Sequence, residues 1–219
     1  MGLINVANRL PFHLPLSSQT IEAAVTCIQS GGVLAVPTDS FYALAVGAFQ
    51  PSALERLLAI KGGRERSPFP VLVGDVFQVE SLAENIPDNA LNLMHVFWPG
   101  LLTLVVPASQ NLSPLLTGGQ RTIGVRQPND PRVCELLKHT GPLTGTSANR
   151  TGQRPAQSAT DVQDQLGPDI DLILDGGSTP GGQPSTVLQV EPEVRILREG
   201  AISPRKLQEF LASEGNHFF

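Results

Sequence analysis

Lysine is nearly missing from this 219-residue chain: Lys61, Lys138 and Lys206 stand against twelve arginines. The charged share is low too, at 16%, beside the roughly 25% of an average soluble domain. These scarcities exclude a coiled coil and an acidic disordered tail. The formal net charge of −5 argues against a general nucleic-acid coat, which would be basic overall. A local basic cleft stays open. Most of the positive charge is arginine, the planar fork that suits phosphate and carboxylate, so its placement matters more than the net charge.

Other absences narrow the class further. Cysteine occurs twice, at Cys27 and Cys134; both sit in apolar segments that read as helical, and buried free thiols are expected. No CxxC pair or His/Cys cluster points to structural zinc. His13, His95, His139 and His217 share no spacing that suits a metal or a catalytic role. No segment reaches the length of about 18 apolar residues that a membrane span needs. The start, MGLINVANRLPFHLP, lacks a signal peptide's apolar run and cleavage site. It also lacks the Ser or Thr of a myristoylation start. A soluble cytoplasmic protein without membrane contact is expected. GxxxxGK[ST], GxGxxG and GxSxG are all missing, which removes the P-loop, the dinucleotide fingerprint and the hydrolase elbow.

What is present is turn-rich: Gly 21 and Pro 19 imply many shaped loops. The length allows burial of roughly 70% of the unfolded surface. One domain over residues 1–219 is expected, with an irregular arm at 1–17. Thr20 reads as the cap of a first helix that ends at Gly31-Gly32. VLAVP is a short buried strand, and Pro51 opens the helix ALERLLAIK. FPVLVGD, LLTLVVP, TIGVRQP and PLTGTSA read as strands, residues 88–97 as a helix, and NLSPLLTGGQR as a loop. Asp130-Pro131 caps the helix RVCELLKH. Thr160-x-x-Gln163 resembles a capping box for DVQDQLG. DLILDGG, STVLQV and EVRILREG follow as strands, and Ser203-Pro204 starts the last helix. This irregular alternation predicts an α/β domain with a twisted mixed sheet flanked by helices.

Polar segments recur where strands end: Pro37-Thr38-Asp39-Ser40, Lys61 to Arg66, Arg121-Thr122 with Arg126, Thr146 to Arg150 with Arg154, Ser185-Thr186, and Arg198. Seven of the twelve arginines fall in them. Ligands of open α/β sheets bind at such strand ends. Arg, Lys, Ser, Thr and glycine-rich backbone together make a polyphosphate or carboxylate site. Each segment alone is an ordinary turn, cap or solvated loop; their joint order carries the signal.

That ordered set resembles a known family. GGVLAVPTDSFYALA is similar to its PTDTVYGL signature. KGGRERSPF resembles its K-x-R loop, WPGLLT its WPG-x-LT, IGVRQP its V-R-x-P, and SANRTG its SAN-x-SG. STV at 185–187 and LREG complete the series, over about residues 20–202. The family is the YrdC/TsaC-type threonylcarbamoyl-AMP synthases, here in the short, single-domain form. The resemblance implies a single mixed α/β domain with a large concave basic cleft. It implies synthesis of threonylcarbamoyl-AMP and pyrophosphate from L-threonine, bicarbonate and ATP. ATP with Mg²⁺ enters as substrate, without a tightly bound organic cofactor and with no protein metal ligands assigned. A separate complex then transfers the threonylcarbamoyl group to tRNA, and members also bind double-stranded RNA. A non-catalytic RNA- or nucleotide-binding relative of the same fold is the alternative.

Residue by residue, the resemblance assigns Lys61, Arg64, Ser147 and Asn149 to catalysis and to the nucleotide. Thr122 and Arg198 are further nucleotide contacts. Thr38, Ser40, Arg126 and Ser185 form the threonine site, with Arg126 the partner of its carboxylate. Three departures accompany the match. Gly63 occupies the family's arginine position, so Arg64 sits one residue late, with Arg66 as a substitute. Ala43 and Ala45 replace two glycines, where glycine serves positive φ or close approach. Ser40 replaces a threonine and keeps the hydroxyl.

Overall fold

The computed structural model describes residues 7–63 and 67–213. The chain begins with β1 (Asn8–Pro11), α1 (Ser18–Gln29), β2 (Leu34–Pro37), β3 (Tyr42–Ala45) and α2 (Pro51–Ile60). After β4 (Val71–Leu72) and a 3-10 turn over Val76–Ser81 come α3 (Asp88–Phe97), β5 (Leu102–Pro107), α4 (Pro114–Thr117) and β6 (Thr122–Arg126). Then follow α5 (Pro131–Thr140), β7 (Leu143–Thr144), β8 (Thr146–Ser147), α6 (Ala159–Leu166) and β9 (Leu172–Asp175). β10 (Thr186–Gln189), β11 (Arg195–Arg198) and α7 (Pro204–Ser213) end the described chain.

The strands form two mixed sheets, ordered β1-β9-β2-β3-β8 and β11-β10-β5-β6-β4-β7. The expected mixed α/β character is present, but divided. PLTGTSA, read as one strand, splits at Gly145 into β7 in one sheet and β8 in the other. A Cβ at Gly145 would lie 2.5 Å from the Leu72 side chain, so the crossing is packed too closely for a larger residue. The two sheets therefore meet at residues 143–147.

Alternate residues of the β2–β3 hairpin feed two cores, as the strand period of two requires. Ala35, Tyr42 and Leu44 join the larger cluster with α2 and α3. Leu34, Val36, Ala43 and Ala45 join a smaller one against Val133, Leu136 and Leu137 of α5. Both strands are buried along their whole length, which is why they read as continuous apolar runs.

Several local expectations shift. Residues 8–11 of the supposed irregular arm form β1, an edge strand parallel to β9; its exposed NRLP carries no apolar alternation to announce it. Helix α1 is capped by Ser17, whose Oγ accepts the Thr20 N–H at 3.1 Å; Thr20 is a buried third-position residue instead. In α6 the capping box is Ser158 with Asp161, two residues ahead of the Thr160–Gln163 pattern. The loop NLSPLLTGGQR contains the short helix α4, with Pro114 at its start and Ser113 as cap. Pro51, Asp130-Pro131 and the 88–97 helix stand where expected. Cys27 and Cys134 are free and only partly buried. No helix among the described residues is long and apolar enough to cross a membrane.

Candidate functional site

Where the sheets meet, strand ends and hairpin turns enclose a cavity of about 470 Å³. Thr38 and Ser40 come from the β2–β3 turn, Arg126 ends β6, Ser147 ends β8, Ser185 precedes β10 and Arg198 ends β11. Six residues separated by up to 160 positions thus share one wall.

Arg126 is held by parts of the WPG segment. Its Nε–H donates to the Gly100 carbonyl at 2.8 Å, and Nη2 pairs with Asp39 Oδ1. Gly100 is itself anchored, its N–H donating to Gln127 O at 2.9 Å. A Cβ on Gly100 would sit 2.4 Å from Phe97 O, so only glycine lets the chain fold back into this ledge. The neighbouring Trp98 indole N–H donates to Leu102 O at 2.7 Å. Burial lowers the Arg126 pKa, and the Asp39 carboxylate pulls it back up.

Arg198 has a different support. Its Nε and Nη2 donate to Ser185 O at 3.3 and 2.9 Å, and Nη2 also donates to Ser185 Oγ at 3.1 Å. Ser185 Oγ lies 2.8 Å from Thr103 Oγ1. Burial and then the charge of Arg126 lower the Arg198 pKa. Two guanidinium groups therefore face the same space closely enough to repel, an arrangement an anion relieves.

Lys61 sits beside this wall. It is the C-cap of α2, which closes with a Schellman motif: Gly62 N–H donates to Ala59 O and Gly63 N–H to Leu58 O. Gly62 and Gly63 have φ of +96° and +68°, the region that favours glycine. This gives the departure at Gly63 a backbone reason. Lys61 Nζ donates to Ser147 O at 3.0 Å, Asn149 O at 2.8 Å and Asn149 Oδ1 at 3.2 Å. Burial lowers its pKa. Its three protons all rest on carbonyl oxygens, so the ammonium organises the 147–149 segment.

Asn149 is fully engaged. Its Oδ1 also accepts from Ser147 Oγ at 2.6 Å, and its Nδ2 donates to Arg150 O and Gln153 O. Ser147 Oγ thus commits its hydrogen to Asn149 and keeps its acceptor lone pairs. Thr38 is also committed: Oγ1 donates to Phe41 O at 2.7 Å and accepts the Ser40 N–H at 3.2 Å. It shapes the turn that presents Ser40.

Thr122 stands apart. It opens β6 opposite Pro107, four residues from Arg126, and is not on the cavity wall. Arg64 and Arg66 lie outside the described residues. Ala43 and Ala45 pair with Val36 and Leu34 in the regular β2–β3 ladder and lack positive φ, so that backbone needs no glycine. Ala43 is nonetheless among the residues that line the cavity.

Asp39 and Thr103 received no site role from sequence reasoning. Asp39 was legible as one of two acids in the polar segments, with Glu65, and Thr103 as the threonine of WPGLLT. Neither signal named its partner. Among the described residues, no three His, Cys, Asp or Glu side chains converge to hold a metal.

The chain is similar to known proteins over most of its length. A family model described as Sua5/YciO/YrdC, telomere recombination, matches residues 26–200. The threonylcarbamoyl-AMP synthase of Vibrio vulnificus is 35% identical over 183 residues, covering 82% of this chain and 98% of that protein. The threonylcarbamoyl-AMP synthase of Bacillus subtilis is 33% identical over 199 residues, covering 90% of this chain and 58% of that one. The structure of Pyrococcus abyssi Sua5 complexed with L-threonine superposes with a TM-score of 0.84 at 31% identity, covering 93% of this chain and 59% of that chain.

Proposed function

This chain belongs to the Sua5/YciO/YrdC family, and from that premise we propose that it is an L-threonylcarbamoyl-AMP synthase. L-Threonine and bicarbonate condense to a carbamate with loss of water. A carbamate oxygen then attacks the α-phosphorus of ATP, and pyrophosphate leaves. The adenylate feeds threonylcarbamoylation of tRNA by a separate transfer complex in the cytoplasm.

The observation that carries this reading is the pairing of Arg126 and Arg198 on one wall with the hydroxyls of Ser40, Ser147 and Ser185. Arg126 takes the threonine carboxylate through Nη1, the nitrogen that neither Gly100 nor Asp39 engages. Ser40 and Ser185 line the amino-acid end. The lone pairs of Ser147 accept an N–H from the carbamate or the nucleotide. Arg198, with Lys61 and Arg64, serves the phosphates, and Thr122, at the far end of β6 and off the cavity wall, meets a more distant part of the nucleotide. Two unit negative charges about 4 Å apart repel by roughly 4 kcal/mol at an effective dielectric of 20, so carbamate and triphosphate need these fixed cations to meet. Magnesium accompanies the nucleotide.

The test is pyrophosphate release from ATP, with and without L-threonine and bicarbonate, with the adenylate identified by mass spectrometry. Release that requires both co-substrates is expected. ATP binding without release would overturn the synthase reading in favour of a nucleotide- or RNA-binding relative.

A further inference from the structure

We propose that Asp39 is a positioning residue of the amino-acid site, reaching from one sheet to fix the Arg126 guanidinium of the other in the orientation that receives the substrate carboxylate. The proposal rests on the synthase reading above. Asp39 stands in the β2–β3 turn of the first sheet, and Arg126 ends β6 of the second. Their side chains are only 11% and 8% exposed, so the pair spans the sheet junction largely out of water.

The hydrogen bonds define the role. Arg126 Nε is anchored on Gly100 O and Nη2 on Asp39 Oδ1. Anchors on two nitrogens fix the plane of a side chain that otherwise samples many rotamers. The Nη1 edge remains for a ligand. The second Asp39 oxygen accepts the Asn129 N–H at 3.0 Å. Asn129 precedes Asp130, the cap of α5, so Asp39 also holds the chain that leaves Arg126. Asp39 itself is not among the residues that line the cavity and acts on substrate through Arg126.

Charge and position pull in opposite directions here, which makes the sign informative. If Asp39 merely competed with substrate for Arg126, its removal would tighten threonine binding. If it positions Arg126, removal weakens binding, and an uncharged oxygen in the same place restores part of it.

The experiment compares the full chain with Asp39→Ala and Asp39→Asn. Calorimetry reads L-threonine binding independently of turnover, and steady-state pyrophosphate release gives both KM values. Asp39→Ala is expected to raise the threonine Kd and KM about tenfold while the ATP KM stays within about twofold, with Asp39→Asn between wild type and Ala. Unchanged or tighter threonine binding in Asp39→Ala overturns the proposal, as does an equal loss for both substrates. Should Asp39→Ala fail to fold, Asp39→Asn decides alone: weaker threonine binding with an unchanged ATP KM supports the proposal, and parity with wild type overturns it. A wild-type chain that binds threonine without releasing pyrophosphate refutes the synthase reading while the Asp39 comparison still stands. A wild-type chain that binds no threonine refutes both.

Discussion

Gly200→Ala is a sharp test of how the phosphate side of the cavity is built. Gly200 follows β11, and a Cβ there would lie 2.3 Å from Pro184 O, 2.5 Å from Ser185 C and 2.6 Å from Thr186 N. All three are backbone atoms, so no flexible side chain can step aside. Cβ contacts below 3.0 Å are essentially never found, and the two segments must part by at least about 0.7 Å. That motion separates Ala201 N from Pro184 O, now 2.9 Å apart, and draws Arg198 away from Ser185. Overpacking of this kind costs about 1–3 kcal/mol of stability. A misplacement of about 1 Å at a reacting centre costs on the order of 10²-fold in rate. Thermal unfolding and threonine-dependent pyrophosphate release measure the two effects. At about 2–4 °C per kcal/mol for a chain of this size, Tm should fall by roughly 2–12 °C, and kcat/KM should fall by about two orders of magnitude. A Gly200→Ala protein with kcat/KM within about twofold of wild type would refute the claim that this backbone contact sets Arg198.

Lys61→Met removes three donors from Ser147 and Asn149; pyrophosphate release should drop by about 10²-fold or more, and a near-normal rate would show that the ammonium is dispensable. Ser185→Ala takes one acceptor from Arg198 and the partner of the buried Thr103 hydroxyl; thermal melts should show a loss of about 1–2 kcal/mol. Burial pushes the Cys27 thiol up from 9.0 to about 12. Unfolded thiols ionise first, so this group's stabilisation is full below pH 9 and is lost as pH rises through 9 toward 12. Denaturant melts above pH 9 should show that decline, reduced in Cys27→Ser, and alkylation of Cys27 at pH 8 should be slow until the chain unfolds.

Local signals in the sequence were reliable where one residue type satisfies one local geometry. Asp130-Pro131 caps α5 because a carboxylate and a fixed φ both suit a helix start, and the match was direct. Thr160-x-x-Gln163 failed because Ser158-x-x-Asp161 offers the same pattern two residues earlier. Asp161 prevailed by also accepting the Gln157 N–H at 3.0 Å. The six cavity residues Thr38, Ser40, Arg126, Ser147, Ser185 and Arg198 were legible because strand ends are where open sheets expose polar groups. Their partners were not. Asp39 and Arg126 lie 87 positions apart, and no local pattern encodes which carboxylate a buried arginine meets. The division into two sheets was hidden likewise, since Gly145 turns the chain by packing against Leu72, a contact across sequence.

The net charge of −5 and an anion-binding cavity are compatible because the acids are held elsewhere. Asp169, Asp171 and Asp175 surround β9 and pair with Arg150, Arg56 and Arg9 on the outside of the fold. Those pairs are exposed and worth little individually, yet they keep three carboxylates away from the sheet junction. At the cavity, Asp39 faces Arg126, while Arg198 is held by neutral oxygens of Ser185 and Lys61 by neutral carbonyls. Neutral acceptors solvate a cation without cancelling it, so these two charges remain available to a ligand. The depressed Arg198 pKa, caused by burial and by Arg126, is the signature of that uncancelled charge. A bound anion pairs with that charge, and by mass action a ligand at a hundredfold excess over its Kd stabilises the fold by about 2.7 kcal/mol. Thermal melts with ATP should therefore show a rise in Tm that Arg198→Gln diminishes and Arg150→Gln, on the outer face, leaves intact; an equal loss in both variants would place the anion outside this cavity.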